Sequence, residues 1–201
     1  MSIVVEHEKR RKEILEKALD VFITEGYVDA TFQKIADKCS ITRTTLYLYF
    51  KNKKEIFNYS IKLLLVKLEE DIQLIHSDPS LDSIQKIIEV LMKIFSHIEE
   101  NRRLVSVIRD YLLHISKRSG DPGKPVRRRT LRLRHILSSL VIEGIKTGKL
   151  KPVNVKTADG YLYSFIEASI FRIAILRQET VGDLRETATF AVKQFQITNN
   201  K

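Results

Sequence analysis

The side chains of this chain that could do chemistry are donors rather than catalysts. From Thr31 to Glu55 the sequence runs TFQKIADKCSITRTTLYLYFKNKKE, and within it Arg43, Thr44, Tyr47 and Tyr49 offer a guanidinium, a hydroxyl and two phenols. Groups of this kind hydrogen-bond to the base edges and phosphates of a nucleic acid duplex. No nucleophile–base–acid set, glycine-rich phosphate loop or metal-ligand spacing accompanies them in the sequence. His7, His76, His97, His114 and His135 are not spaced with acids or with Cys39 as metal ligands are. The expectation is a binding protein without catalysis, metal or cofactor.

Those donors need a rigid carrier, and the spacing of apolar residues supplies one. Ile35 and Ala36 give a first short helix a small apolar face, and Ile41 plugs the turn that follows. Thr42 can cap a second helix, its hydroxyl accepting a free amide of the first turn. Leu46 and Phe50, four apart, share the inward face of that helix. The donors then stand on the outward face, and the major groove of DNA admits one helix of this size. Asn52 and Glu55 have the spacing of a capping box that opens a third, longer helix.

Ile35-Ala36, Ile41-Thr42, Leu46-Tyr47, Tyr49-Phe50, Lys53 and Glu55 resemble the helix-turn-helix of the TetR family of bacterial transcriptional regulators. That pattern runs roughly I-A-x-x-A-G-V-S-x-G-x-L-Y-x-Y-F-x-x-K-E. Three departures bear on function. Cys39-Ser40 replaces the usual Ala-Gly, so Ser40 is expected in a conformation that Gly adopts more cheaply. Thr44 replaces a frequent Gly, and Lys54 follows Lys53 before the Glu. The likeness covers about the first 60 residues; beyond them only length and helical pattern are shared.

The resemblance implies an all-α chain of about nine helices. A three-helix DNA-binding domain would span residues 1–55, and a larger helical effector-binding and dimerisation domain residues 56–201. It implies that Gln33, Thr42, Arg43, Thr44, Tyr47, Tyr49 and Lys53 face DNA. Arg43 and Thr44 would meet base edges; Tyr47, Tyr49 and Lys53 would hold phosphates. Lys9, Arg10, Arg11 and Lys12, placed before the first apolar turn, could reach the backbone or minor groove. The implied partners are double-stranded DNA with a palindromic operator, a second copy of the chain, and a small-molecule effector that releases a repressor. The alternative is the same fold without a small-molecule effector, controlled by a protein or nucleotide partner.

Composition agrees and adds limits. The net charge is +10, yet residues 1–60 hold 11 basic against 9 acidic side chains. Most of the excess lies between Lys117 and Arg134, where eight basic residues face Asp121 alone. Arg127, Arg128, Arg129, Arg132 and Arg134 there could bind an anionic effector or form a solvated helix face. Overall basicity favours an anionic partner, but the argument for DNA rests on the motif. One cysteine excludes an intrachain disulfide and fits a reducing cytoplasm; Cys39 reads as a small apolar filler. The N-terminus lacks the apolar stretch of a signal peptide, and no apolar run is long enough to span a bilayer. A cytoplasmic protein without membrane contact is expected.

Along the chain, a stripe from Ile14 to Ile23 marks a helix that Gly26 ends. Asp78-Pro79-Ser80 breaks the long helix, and Gly120 to Pro125 is the clearest loop. Further helices are expected at about 81–99, 101–117, 126–147, 156–177 and 181–196. Leu162, Phe165, Ile166, Ser169, Ile170 and Ile173 line one face of the penultimate helix, while Tyr161, Ala168, Phe171 and Ile175 lie off it. A helix apolar on more than one side must bury more than one side, which points to a dimer, with Leu184, Ala188, Ala191 and Phe195 as partner stripe. Phe95, Tyr111, His114, Tyr163 and Phe165, with His97, are polar-edged or aromatic candidates for an effector pocket.

Overall fold

A computed structural model of the chain describes residues 3–116 and 123–197. Its elements are α1 (Ile3–Asp29), α2 (Phe32–Lys38), α3 (Arg43–Tyr49), α4 (Lys53–Ser77), α5 (Ser83–Glu100), α6 (Arg102–Ser116), α7 (Gly123–Lys146), α8 (Val155–Ala174) and α9 (Gly182–Lys193). Among the described residues the only strand-like feature is an isolated bridge, Leu150 to Gln196. Two boundaries differ from expectation. The basic residues Lys9 to Lys12 lie inside α1, because the Glu/Lys/Arg-rich opening is itself helix-forming and Arg10 pairs with Glu13 one turn on at 2.9 Å. Pro125 belongs to the first turn of α7, where its missing N–H costs nothing. Gly120, Asp121 and Pro122, the first half of that expected loop, lie outside the described residues.

The chain forms two compact units, Met1–Lys67 with Val107–His114, and Leu68–Ser106 with Ile115–Lys201. The first is built on Ile14, Leu15, Ala18 and Phe22 of α1 and on Ile35, Ala36, Leu46 and Phe50, all of them buried, with α1 packed on α2 and α2 on α3. Gly26 stands at φ 78, outside the helical region, so α1 breaks there and adds one turn to Asp29 instead of ending. An aromatic cluster fills the space beyond the break: Tyr27 lies 4.9 Å from Phe57 and 4.5 Å from Tyr111, and Phe57 lies 4.8 Å from Phe22. Burying each such ring or aliphatic side chain contributes about 1.5–3 kcal/mol. The Ser60 hydroxyl donates to the Leu15 carbonyl at 2.8 Å, so this buried polar group is satisfied.

In the second unit α5 packs on α7, α8 and α9. Asp82 and Gln85 close a capping box at its start, and Ile84, Ile87, Val90, Leu91, Ile94 and Phe95 are buried along it. Arg185 of α9 ties back to α5, donating to Ser96 at 3.2 Å and pairing with Glu99, whose other oxygen accepts the Val181 amide at 2.7 Å. Arg134 of α7 donates to Asp159 of α8 at 2.8 Å. Gly144 has a packing reason: a Cβ there would stand 1.5 Å from Leu150 Cδ1. Gly148, at φ 69, ends α7 as its position in the sequence predicts.

Candidate nucleic-acid interface

The outward face of α3 is built by the caps and core beneath it. Thr42 Oγ1 accepts the Thr45 amide at 3.0 Å, which satisfies one of the free donors of the first turn and stabilises the helix by about 1 kcal/mol. Thr31 does the same for α2 through Lys34 at 3.1 Å. Between the helices Ser40 sits at φ 56, the left-handed conformation expected where the pattern replaces Gly. Cys39 is buried, with desolvation raising its thiol pKa, and serves as the small filler of this turn. Leu46 and Phe50 are both buried, which fixes the rotation of α3 about its axis.

That rotation leaves Arg43, Thr44, Tyr47 and Leu48 exposed, in pairs four apart. Arg43 Nη2 donates to Tyr47 Oη at 3.2 Å, and Tyr47 stacks on Phe32 at 4.5 Å. The pairing holds the exposed guanidinium beside the phenol, 5.7 Å from its ring centroid. Thr44 is exposed, Gln33 of α2 donates to Asp37 at 2.7 Å, and Thr42 is occupied as cap. Tyr49 is half-buried, its ring stacked on His7 at 4.7 Å. Leu48 was missed by the sequence reading, although it is 75 % exposed on α3. The i+4 spacing from Thr44 was the signal available; its apolar type concealed it.

Three of the other expected cations, Lys53, Arg10 and Arg11, are engaged within the chain. Lys53 Nζ donates to the carbonyls of Tyr27 at 2.7 Å and Val28 at 2.9 Å and lies 4.8 Å from the Tyr27 ring centroid. Burial pushes its pKa down, against the upward pull of Asp29. Arg11 is stacked on Tyr59 at 4.4 Å and on Phe50 at 5.1 Å, and Arg10 holds Glu13. Lys9, Lys12, Lys51 and Lys54 are exposed.

The five effector-pocket candidates divide between the units. Phe95 and Phe165 are buried in the second, with Tyr163 half-buried beneath the Arg134 guanidinium at 5.9 Å. Tyr111 is buried in the aromatic cluster of the first unit, with His114 near Tyr27 at 5.9 Å. His97 is half-buried in α5. Arg132 pairs with Glu69 at 3.1 Å. Arg127, Arg128 and Arg129 fall among residues whose side chains are not described. Of the expected stripe on the last helix, Leu184, Ala188 and Ala191 are buried against their own chain and Phe195 lies past the end of α9, so that stripe is core. On α8 and α9 and just after α8, the exposed large apolar side chains are Tyr161, Ile170, Phe171, Ile175, Leu176 and Phe190.

Residues 14–59 match the family described as bacterial regulatory proteins, tetR family. The fatty acid metabolism regulator protein of Bacillus subtilis is 25 % identical over 170 residues, covering 81 % of this chain and 84 % of that protein. The solved structure of the regulator FadR from Bacillus subtilis in complex with stearoyl-CoA has a TM-score of 0.66 at 23 % identity, covering 89 % of this chain and 95 % of its own. A TetR transcription regulator from Haloarcula marismortui reaches a TM-score of 0.79 at 18 % identity, over 94 % and 97 % of the two chains. No described helix is long and apolar enough to cross a membrane.

Proposed function

We propose that this chain, a member of the TetR family of bacterial transcriptional regulators, is a homodimeric DNA-binding repressor released from a palindromic operator by a long-chain acyl-CoA. The observation that carries DNA reading is the outer face of α3: capped at Thr42, held from behind by Leu46 and Phe50, and presenting Arg43, Thr44 and Tyr47 outward. A helix of seven residues is about 10 Å long, within the width of a major groove. Arg43 and Thr44 read base edges; Tyr47 and Tyr49, with Gln33 and Thr42 at the margin, contact the backbone. The chain works in the cytoplasm.

Dimerisation is inferred from the apolar residues that α8 and α9 leave uncovered. Phe190 is 67 % exposed on the outer face of α9, beside Glu186 and Lys193. A dimer also doubles the few base pairs that one short helix can read. The effector class is carried over from FadR, whose structure holds stearoyl-CoA. Phe95, Tyr163 and Phe165 are proposed to face it in the second unit; the other two candidates, Tyr111 and His114, lie in the first. Ligand releases DNA by binding better to a state whose two reading helices are wrongly spaced.

The test is enrichment of duplexes from a random-sequence library on the parent protein, followed by titration of the bound complex with stearoyl-CoA. A palindromic consensus and its loss from the protein as stearoyl-CoA rises are expected. Enrichment of a palindrome that stearoyl-CoA leaves fully bound would remove the effector class and favour control by a protein or nucleotide.

A further inference from the structure

We propose that Lys53 is a positioning residue that fastens the end of α1 to the start of α4 and sets the pose of the reading helix, and is not itself a phosphate contact. Its ammonium donates to two consecutive carbonyls, Tyr27 at 2.7 Å and Val28 at 2.9 Å. Both follow Gly26, where α1 leaves helical geometry. The last carbonyls of a helix lack intrahelical partners and need others; Lys53 supplies them across 25 and 26 residues of sequence. An ammonium has three N–H groups, so two are committed, and the Tyr27 ring lies 4.8 Å away on its flank. The two charge-assisted bonds and the aromatic platform hold the ammonium against α1, so only its third N–H is left to point elsewhere.

The same short stretch anchors both ends of the α2–α3 hairpin. On the entry side, the Ala30 amide donates to the Gly26 carbonyl at 3.2 Å, and Thr31 caps α2 immediately afterwards. On the exit side, only Phe50, Lys51 and Asn52 separate α3 from Lys53. With entry and exit held to residues 26–28, the hairpin is a closed loop whose tilt cannot drift independently of α1. The platform is rigid, since Tyr27 is wedged among Phe22, Phe57 and Tyr111. Phosphate binding then falls to the exposed neighbours Lys51 and Lys54.

The role rests on the DNA-reading function, and the test separates the two. Parent, Lys53→Met, Lys53→Arg and Lys54→Met are titrated at several salt concentrations. The probes are the duplex enriched by the parent and poly(dI-dC). Lys53→Met should weaken the enriched duplex about tenfold or more, leaving poly(dI-dC) affinity and the salt slope within error of the parent. Lys53→Arg, which can still donate to both carbonyls, should restore the enriched-duplex affinity. Lys54→Met should instead flatten the salt slope by about one per reading head. A slope lowered by about one in Lys53→Met, with equal loss on both duplexes, makes Lys53 a phosphate contact and overturns the proposal; so does unchanged binding. If Lys53→Met does not fold at the assay temperature, Lys53→Gln, which retains one donor group, is judged by the same outcomes. A parent that enriches no duplex removes the reading function and this role with it.

Discussion

The outer faces of α3 and α8 expose opposite chemistries. On α3 the outer face is a guanidinium, a hydroxyl and a phenol with one leucine; α8 leaves Tyr161 and Phe171 exposed, with Ile170 at the border of its inner stripe and Ile175 just past its end. Both are fixed from behind in the same way, by side chains buried in their own unit: Leu46 under α3, and Leu162, Phe165, Ile166 and Ile173 under α8. Directed donors discriminate among partners that differ by one hydrogen-bonding group, because a mismatch leaves a polar atom unpaired. An apolar face has no such selectivity, and its surest partner is an identical face presented by symmetry. The comparison is the ground on which sequence recognition is proposed for α3 and self-association for α8.

The largest effect expected is on the α8 side. Phe171→Glu or Ile170→Glu places a carboxylate on a face proposed to be buried twice, once in each protomer. A central interface residue is worth 2 kcal/mol or more, so the symmetric pair should weaken the dimer by about 4 kcal/mol, roughly a thousandfold. Sedimentation velocity should show monomer at micromolar concentration, with unaltered helical circular dichroism. A variant that sediments as a tight dimer would place the interface away from α8. Phe195→Glu, by contrast, should lower stability, since Phe195 is half-buried in its own chain.

Arg43→Ala should cost about 1–3 kcal/mol per half-site on the enriched duplex and relax preference at one base position. Binding to unrelated duplexes should fall much less. A uniform loss over every single-base variant would make Arg43 a backbone contact and leave Thr44 as the reader. The same titration sharpens the contrast with α8, since Phe171→Glu should weaken all palindromes alike.

Much of the first unit was legible because its signals are local. The Thr42 cap spans three residues, the Leu46–Phe50 face four, and the strain at Ser40 follows from one substitution in the pattern. The bonds that Lys53 makes were not legible, because its partners lie 25 and 26 residues upstream and no local pattern records them. The second unit was legible as helices and little more. Periodicity identified the inner stripe of α8, but Leu184, Ala188 and Ala191 have the same spacing whether they meet their own chain or another. Which neighbour covers a stripe is a tertiary fact.

Ser40→Gly should stabilise the first unit. At φ 56 a residue with a Cβ carries a strain of roughly 1 kcal/mol that glycine relieves. The thermal midpoint should rise by a few degrees, with affinity for the enriched duplex unchanged, since Ser40 lies in the turn and off the reading face. A lower midpoint would mean that the serine makes a compensating contact.

The smallest effect tests the one apolar member of the reading face. Leu48 is 75 % exposed, with Thr44 one turn before it and Arg43 and Tyr47 alongside. An exposed leucine among donors gains nothing from water, whereas the major groove offers it one apolar feature, the thymine methyl. Removing a methyl from an apolar contact costs about 0.8 kcal/mol, close to a fourfold loss per half-site. The measurement replaces each thymine of the enriched duplex singly with uracil, which deletes the methyl and keeps the pairing. One position per half-site should lose affinity with the parent and none further with Leu48→Ala, because the variant has already lost the contact. Equal uracil penalties in parent and variant would assign the methyl to another side chain, Thr44 being nearest on the same face.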